Sequence, residues 1–209
     1  MSAPVAPTIA PLPDDGPTPR RGYHHGNLRE ALIEAARRLT AERGPHGFTM
    51  AEAARLAGVS ASAPYRHFKD RDALLAELCR RGFAQFGARL RACGTAQGLN
   101  GMGAAYLGFA REEPGYYGAM FDWRGLSDQT PGQGRPAEDD SFGTLVTAVM
   151  QALPPDTGRD QARLLALQVW AMSHGVAGLE RAGAHPPGSG APTPEIVLAD
   201  AVKKLLRPR

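Results

Sequence analysis

Apolar residues fall at helical spacing along most of the chain, and the first such stripe is Leu28, Leu32, Ala35, Ala36 and Leu39. Asn27, with Glu30 three residues on, reads as the N-cap of this helix, which runs to Arg43 and is ended by Gly44-Pro45. Thr49-Met50-Ala51-Glu52 is a capping box: the threonine hydroxyl accepts from the first turn while the glutamate reaches back to the cap, so a second helix starts near Met50. Ala53, Ala54, Leu56 and Ala57 pack inward, and Gly58 supplies the left-handed residue at which the chain turns sharply. Val59 plugs the turn. Ser60 is a second N-cap candidate, opening a short helix from Ala61 to Phe68. Pro64 has no N–H to give that helix, which predicts a tightened or late first turn.

Asp70, followed by Asp72, caps a long helix with the stripe Leu75, Cys79, Phe86, Leu90 and Cys93; Gly82 and Gly87 weaken it locally or admit a close neighbour. From Thr95 onward the apolar residues become large and aromatic, and helices are predicted at about 97–113 and 114–123 around Pro114. A Gly/Pro/acid loop through Asp140 precedes a helix at 141–152. The segment at about 157–181 carries two stripes. Leu164, Leu167, Trp170, Ala171, His174 and Gly178 lie on one side, with Leu165, Val169, Met172, Val176 and Leu179 nearly opposite, the pattern of a helix buried on both sides. Thr193-Pro194-Glu195, an N-cap with proline at the first helical position, opens a last helix through Leu198, Val202, Leu205 and Leu206. The fold class is therefore all-α.

At 209 residues with 43% hydrophobic and 22% charged residues, the chain has the composition of a soluble globular protein of one or two domains. Its net charge is only +3, but Arg20 to Arg71 holds ten Lys and Arg against five Asp and Glu, so the part containing the helix, tight turn and second helix of Phe48 to Arg71, a helix-turn-helix, is the basic part. Residues 1–19 contain six of the eighteen prolines and no basic residue, which fits neither a signal peptide nor a folded segment and predicts a disordered tail and a cytoplasmic location. No apolar run approaches the length that spans a bilayer, so no membrane partner is expected. Cys79 and Cys93 are fourteen residues apart on one helix, about 21 Å and beyond disulfide reach, and read as packing residues. No His, Cys, Asp and Glu cluster has metal-ligand spacing, and no nucleophile-base pairing or phosphate loop is present; neither a metal, a cofactor nor a catalytic residue is assigned.

In the 61–68 segment, small residues at Ala61, Ser62 and Ala63 allow close approach while Tyr65, Arg66 and His67 present polar tips. That arrangement suits the major groove of B-DNA, with Lys69 and Arg71 adding phosphate charge just beyond. Arg20-Arg21 and Tyr23-His24-His25 form a short arm before the first helix. It reads either as a minor-groove or phosphate contact, through Arg21 and Tyr23, or as a flexible lead-in.

The run from Tyr23 to Leu78 resembles the DNA-binding domain of TetR-type transcriptional regulators, through FTMAEAARLAGVS followed by APYRHFKDRDALL. The resemblance implies that Thr49, Ser62, Ala63, Tyr65, Arg66, His67 and Arg71 face DNA. The chain departs from the pattern with Pro64 where a leucine is usual and Ala63 where a threonine is frequent, leaving fewer base-reading side chains. WAMSHGVAGLE resembles the Trp-x-x-x-His-Gly motif in the C-terminal domain of one subgroup of the same family. His174 reads either as a satisfied packing residue or as a ligand contact.

Together these readings divide the chain into a tail at 1–19, a DNA-binding domain at 20–72 and an effector-binding and dimerisation domain at 73–209. Seven of the fourteen aromatics fall between Tyr106 and Phe142, either as plain core or as the lining of a cavity. With the resemblance, Phe86, Tyr106, Phe109, Tyr117, Met120, Phe121, Trp170 and His174 are the effector-binding candidates. Arg111 is one further polar handle. A second protomer is expected against Leu165, Val169, Met172 and Val176 of the 157–181 helix and Leu198, Val202 and Leu205 of the last one. The expected function is a homodimeric repressor, not an enzyme, that binds a double-stranded DNA operator and is released from it by a small apolar or aromatic effector. A small helical enzyme and a protein-binding scaffold are the rival classes; the exposed basic Tyr65-Arg66-His67 surface has no use in the latter.

Overall fold

The computed structural model describes residues 28–123, 141–184 and 190–207. The readings that fall on the tail, on Arg21, Tyr23 and the Asn27 cap, and on the loop through 140 lie outside the described residues. Within them the chain forms α1 (Leu28–Arg43), α2 (Met50–Leu56), a 3-10 turn (Ala63–Arg66), α3 (Arg71–Glu112), α4 (Pro114–Phe121), α5 (Ser141–Ala152), α6 (Arg159–Arg181) and α7 (Pro194–Leu205). No strand occurs among the described residues.

Helix starts follow the local chemistry. Thr49 Oγ1 accepts from the Glu52 N–H at 3.2 Å, and Glu52 Oε2 accepts from the Thr49 N–H at 2.8 Å, so both halves of the capping box are formed. Asp70 accepts from the Ala73 N–H at 2.8 Å and opens α3, and Thr193 accepts from the Ile196 N–H to open α7. Gly58, with φ +74°, makes the left-handed turn after α2.

Two expectations are corrected. The segment 61–68 is not a helix but a single 3-10 turn, and Ser60 does not cap it; the residue at the N-cap position is Ser62, whose side chain makes no capping bond. The cause is Pro64. An α-helix would send the residue-64 N–H to the Ser60 carbonyl, and with no proton there that carbonyl is taken by Ala63 N–H at 3.0 Å. The second correction joins the helices expected on either side of Thr95 into one path, α3, broken only at Gly98, whose φ of 60° and ψ of −148° no helix contains. A glycine carries that kink without strain.

One hydrophobic core runs from the head to the body. Leu32, Ile33 and Ala36 of α1 meet Leu74, Leu75 and Leu78 of α3, and the same cluster continues through Phe83, Phe86, Tyr106 and Phe109 to α5, α6 and α7. Cys79 is buried in it and Cys93 half-buried, and neither is in a disulfide. α4 is wedged between α3 and α1. A Cβ on Gly82 of α3 would lie 2.7 Å from Met120 Sδ, and one on Gly115 of α4 would lie 2.1 Å from the carbonyl oxygen of Arg37 in α1. Ion pairs cross the same junction: Arg81 of α3 binds Glu30 of α1, and Arg37 of α1 binds Glu113, while Glu77 and Glu34 bind the same two arginines from within their own helices.

Candidate DNA-binding surface and internal cavity

The helix-turn-helix presents its polar side chains outward. Tyr65 is 59% exposed, and Ser62, Arg66, His67 and Lys69 are exposed as well; Ala63 is half-buried. Arg71 is half-buried and lies 3.4 Å from Asp72. Thr49 is exposed, with its hydroxyl held by Glu52 at 3.0 Å. Pro64, where the resemblance leads one to expect leucine, is fully buried, so it keeps the packing role of that position while shortening the helix. Phe68 is buried beneath, with Arg29 stacked over its ring at 5.4 Å.

In the body, α3, α5, α6 and α7 enclose a cavity of about 360 Å³. Its walls are apolar: Leu90, Met102 and Tyr106 from α3, Leu145 from α5, Val169 and Trp170 from α6, and Leu198 and Val202 from α7. Ser141, Ser173, Asn100 and Glu195 supply the polar lining. The Ser173 hydroxyl donates to the Val169 carbonyl at 2.9 Å, which satisfies it inside the helix. Trp170 is fixed by its ring contact with Phe142 at 5.3 Å.

Of the effector candidates, Phe86, Tyr106 and Trp170 line this cavity, whereas Phe109, Tyr117, Met120, Phe121 and His174 do not. Phe109, Tyr117 and Met120 are buried in a packed cluster beside it, with Phe121 half-buried and His174 exposed at its edge. Phe86 meets Tyr106 edge-on at 5.2 Å, and Tyr117 packs on Phe121 at 4.8 Å. His174 Nδ1 lies 3.0 Å from the Tyr106 hydroxyl and 2.8 Å from that of Tyr117. Partial burial lowers the His174 pKa below the ordinary histidine value, which favours its neutral ring, and burial raises the Tyr117 pKa. Arg111, expected as a polar handle, is bound instead to Glu180 and Glu195.

The dimer candidates are also redistributed. Leu165, Val169, Leu198 and Val202 are buried inside the protomer, and Met172, Val176 and Leu205 are half-buried against its core. Three of these, Val169, Leu198 and Val202, are cavity walls. Most of the other stripe is left outward: Leu164 and Leu167 are 51% and 56% exposed, Ala171, His174 and Gly178 are exposed as well, and Gly175 and Leu179 join them, whereas Trp170 of the same stripe lines the cavity. The cavity residues that were not among the effector candidates, chiefly Leu90, Met102, Leu145 and Glu195, carried only the ordinary signal of a helical stripe or a first-turn acid.

A helix-turn-helix head packed on a helical body with an internal cavity defines a class of DNA-binding regulator, and the comparisons give its family. Residues 99–203 match the family model described as tetracyclin repressor-like, C-terminal domain, and residues 32–78 match that of bacterial regulatory proteins, tetR family. The chain belongs to the TetR family of transcriptional regulators, which bind DNA and are not enzymes. No curated protein matches it. A protein with unknown function from Rhodococcus sp. RHA1 is similar at 28% identity, covering 90% of this chain and 97% of that one with a TM-score of 0.70. Likeness of fold alone extends to the fatty acid degradation regulator FadR from Bacillus halodurans, at 14% identity, coverage of 88% and 97% and a TM-score of 0.64. It extends likewise to the TetR family regulator PfmR from Thermus thermophilus, at 18% identity, 84% and 96% coverage and a TM-score of 0.61. Among the described residues no group of His, Cys, Asp and Glu is arranged to hold a metal ion, and no helix is long and apolar enough to cross a membrane.

Proposed function

We propose that this regulator is a homodimeric repressor whose operator is released when a small, mostly apolar molecule fills the cavity. The observation that carries the reading is continuity. The cavity wall Tyr106 and Phe86 packs against Tyr117 and Phe121 of α4, and α4 in turn rests on α1 of the DNA-binding head with Gly115 against the Arg37 backbone. An occupant that moves the wall has a packed route to the head. It acts only to the extent that it binds the non-DNA-binding arrangement better than the other, and by linkage DNA weakens its binding to the same degree.

In this reading the head at 20–72 contacts operator through Thr49, Ser62, Ala63, Tyr65, Arg66, His67, Lys69 and Arg71, and the body at 73–209 binds effector and partner. The second protomer covers the outward stripe of α6, Leu164, Leu167, Ala171 and Gly178, because two exposed leucines a turn apart form an apolar face that a C2 pairing buries. In the same reading Trp170, His174 and Gly175 are the Trp-x-x-x-His-Gly motif of one subgroup, and His174 ties α6 to the tyrosines of α3 and α4, a role its contacts with Tyr106 and Tyr117 support.

The test is a titration of labelled operator, mapped from the promoter the protein binds, followed by anisotropy with and without apolar compounds that raise the melting temperature. Stabilising compounds are expected to lower operator affinity. Compounds that stabilise the protein and leave DNA binding untouched would contradict the repressor mechanism.

A further inference from the structure

The cavity has one charged group in its lining among the described residues, and it is an acid, Glu195, in the first turn of α7. Its surroundings leave it in excess. Arg111 is shared, bonding Glu180 through Nε and Glu195 through Nη2, so the three groups together carry one net negative charge. The positive end of α7, which would otherwise attract an anion, is already occupied by Glu195 itself and by the Thr193 cap on the Ile196 N–H. An adjoining groove shares Leu99, Asn100, Ile196, Ala199 and Val202 with the cavity; it carries Asp200 and Lys203, one charge of each sign. Asp200 is itself bonded to Lys204. Ser141 and Ser173 of the lining are buried and uncharged, whereas the Glu195 side chain is 40% exposed. An apolar cavity with two buried hydroxyls and one carboxylate discriminates by sign of charge only beside that carboxylate.

We infer that the ligand of this cavity is an apolar molecule ending in a protonated amine, its hydrocarbon body between α3, α6 and α7 and its ammonium beside Glu195. The inference rests on the reading of the cavity as the effector site. It separates this chain from regulators of carboxylate-ended ligands, whose head group would meet Glu195 with no cation in the described lining to balance it. Glu195 stays ionised at neutral pH: burial raises its pKa, but the hydrogen bonds from Arg111, its own N–H and Thr193 outweigh that and lower it.

Three probes of one chain length, decylammonium, decan-1-ol and decanoate, test the inference with the full-length protein, read by Trp170 emission and by the shift in melting temperature. Decylammonium is expected to bind about fivefold more tightly than decan-1-ol and at least about tenfold more tightly than decanoate, as a half-exposed ion pair allows. Glu195→Gln is expected to remove the ammonium's advantage over the alcohol. Decanoate binding as well as decylammonium, or a preference that survives in Glu195→Gln, would overturn the inference. If decylammonium and decan-1-ol bind alike, the charge assignment fails while the cavity remains an effector site. If none of the three changes the emission or the melting temperature, the effector-site reading fails and takes the inference with it.

Discussion

Gly115 of α4 sits where the body touches the DNA-binding head, and replacing it with alanine probes that junction. The added methyl would lie 2.1 Å from the carbonyl oxygen of Arg37 and 3.0 Å from its carbonyl carbon. Carbon and oxygen in contact keep about 3.3 Å apart, so α4 has to retreat by roughly 1 Å from a backbone that cannot rotate away. That retreat also thins the contacts of Tyr117, Ala119 and Met120, all buried on the same helix, and a gap of this size forfeits about a quarter to a half of each contact's attraction. Overpacking costs about 1–3 kcal/mol and belongs here at the upper end, offset by up to about 1 kcal/mol from the better helix propensity of alanine. The net expectation for Gly115→Ala is a loss of about 2 kcal/mol, or a fall of about 4–8 °C in melting temperature. Gly118→Ala is the control on the same helix facing the same neighbour. Its methyl would meet the Thr40 Cγ2 at 3.2 Å, a contact short by tenths of an ångström where that of Gly115 is short by about 1 Å. Propensity and crowding then nearly cancel, and its stability should stay within about 0.5 kcal/mol of the parent. Urea unfolding of both variants decides the matter, and equal stability of the two would refute the reasoning.

Operator binding should weaken steeply with salt, at about −0.9 in logarithmic slope per neutralised phosphate; a flat response would exclude a phosphate-contacting role for Arg66, Lys69 and Arg71. Arg66→Ala is expected to cost about 1–3 kcal/mol concentrated at one base position if Arg66 reads a guanine, whereas Arg71→Ala should weaken all sequences alike in a binding assay across operator variants. Leu167→Glu, on the outward stripe of α6, should give monomers in sedimentation at micromolar concentration, and a dimer that persists would place the partner elsewhere. Glu77 is held at a pKa of about 2, well below the ordinary carboxylate value, by the hydrogen bond from Arg80, against which burial pulls upward, and by that from Arg81. A depressed pKa contributes stability that is present above about pH 4.5 and lost as pH falls toward 2. Urea midpoints measured from pH 6 to pH 2.5 should therefore fall less in Glu77→Gln than in the parent, and parallel curves would show that the ion pairs of Glu77 contribute nothing.

Local chemistry was legible in the sequence wherever a few adjacent residues decide the outcome. The capping box at Thr49 and Glu52, the caps at Asp70 and Thr193, the turn at Gly58 and the outlines of α1, α5 and α7 each follow from side chains that bond their own backbone within three or four positions. The all-helical fold and the helix-turn-helix head follow from those starts and from the 3.6-residue period. Pro64 announced a disturbed turn, but whether the segment becomes a late helix or a single 3-10 turn depends on which donor takes the Ser60 carbonyl. That competition was settled only in the folded head, where Pro64 is also buried against the core.

Tertiary structure decided everything that depends on which neighbour a stripe meets. The two sides of α6 have the same period and nearly the same composition, so the sequence contains no term that sends Leu165 and Val169 inward and leaves Leu164 and Leu167 outside. The approach of α3, α5 and α7 to one side makes that choice, and it turns Val169, Leu198 and Val202 from candidate interface residues into cavity walls. Aromatic composition likewise marked the 106–121 region without distinguishing a filled cluster from an empty one. Tyr117, Phe121 and Met120 fill their space because α4 packs tightly on α3 and α1 through Gly82 and Gly115. The open volume lies one layer away, where smaller aliphatic side chains and the kink at Gly98 leave helices that do not close on one another.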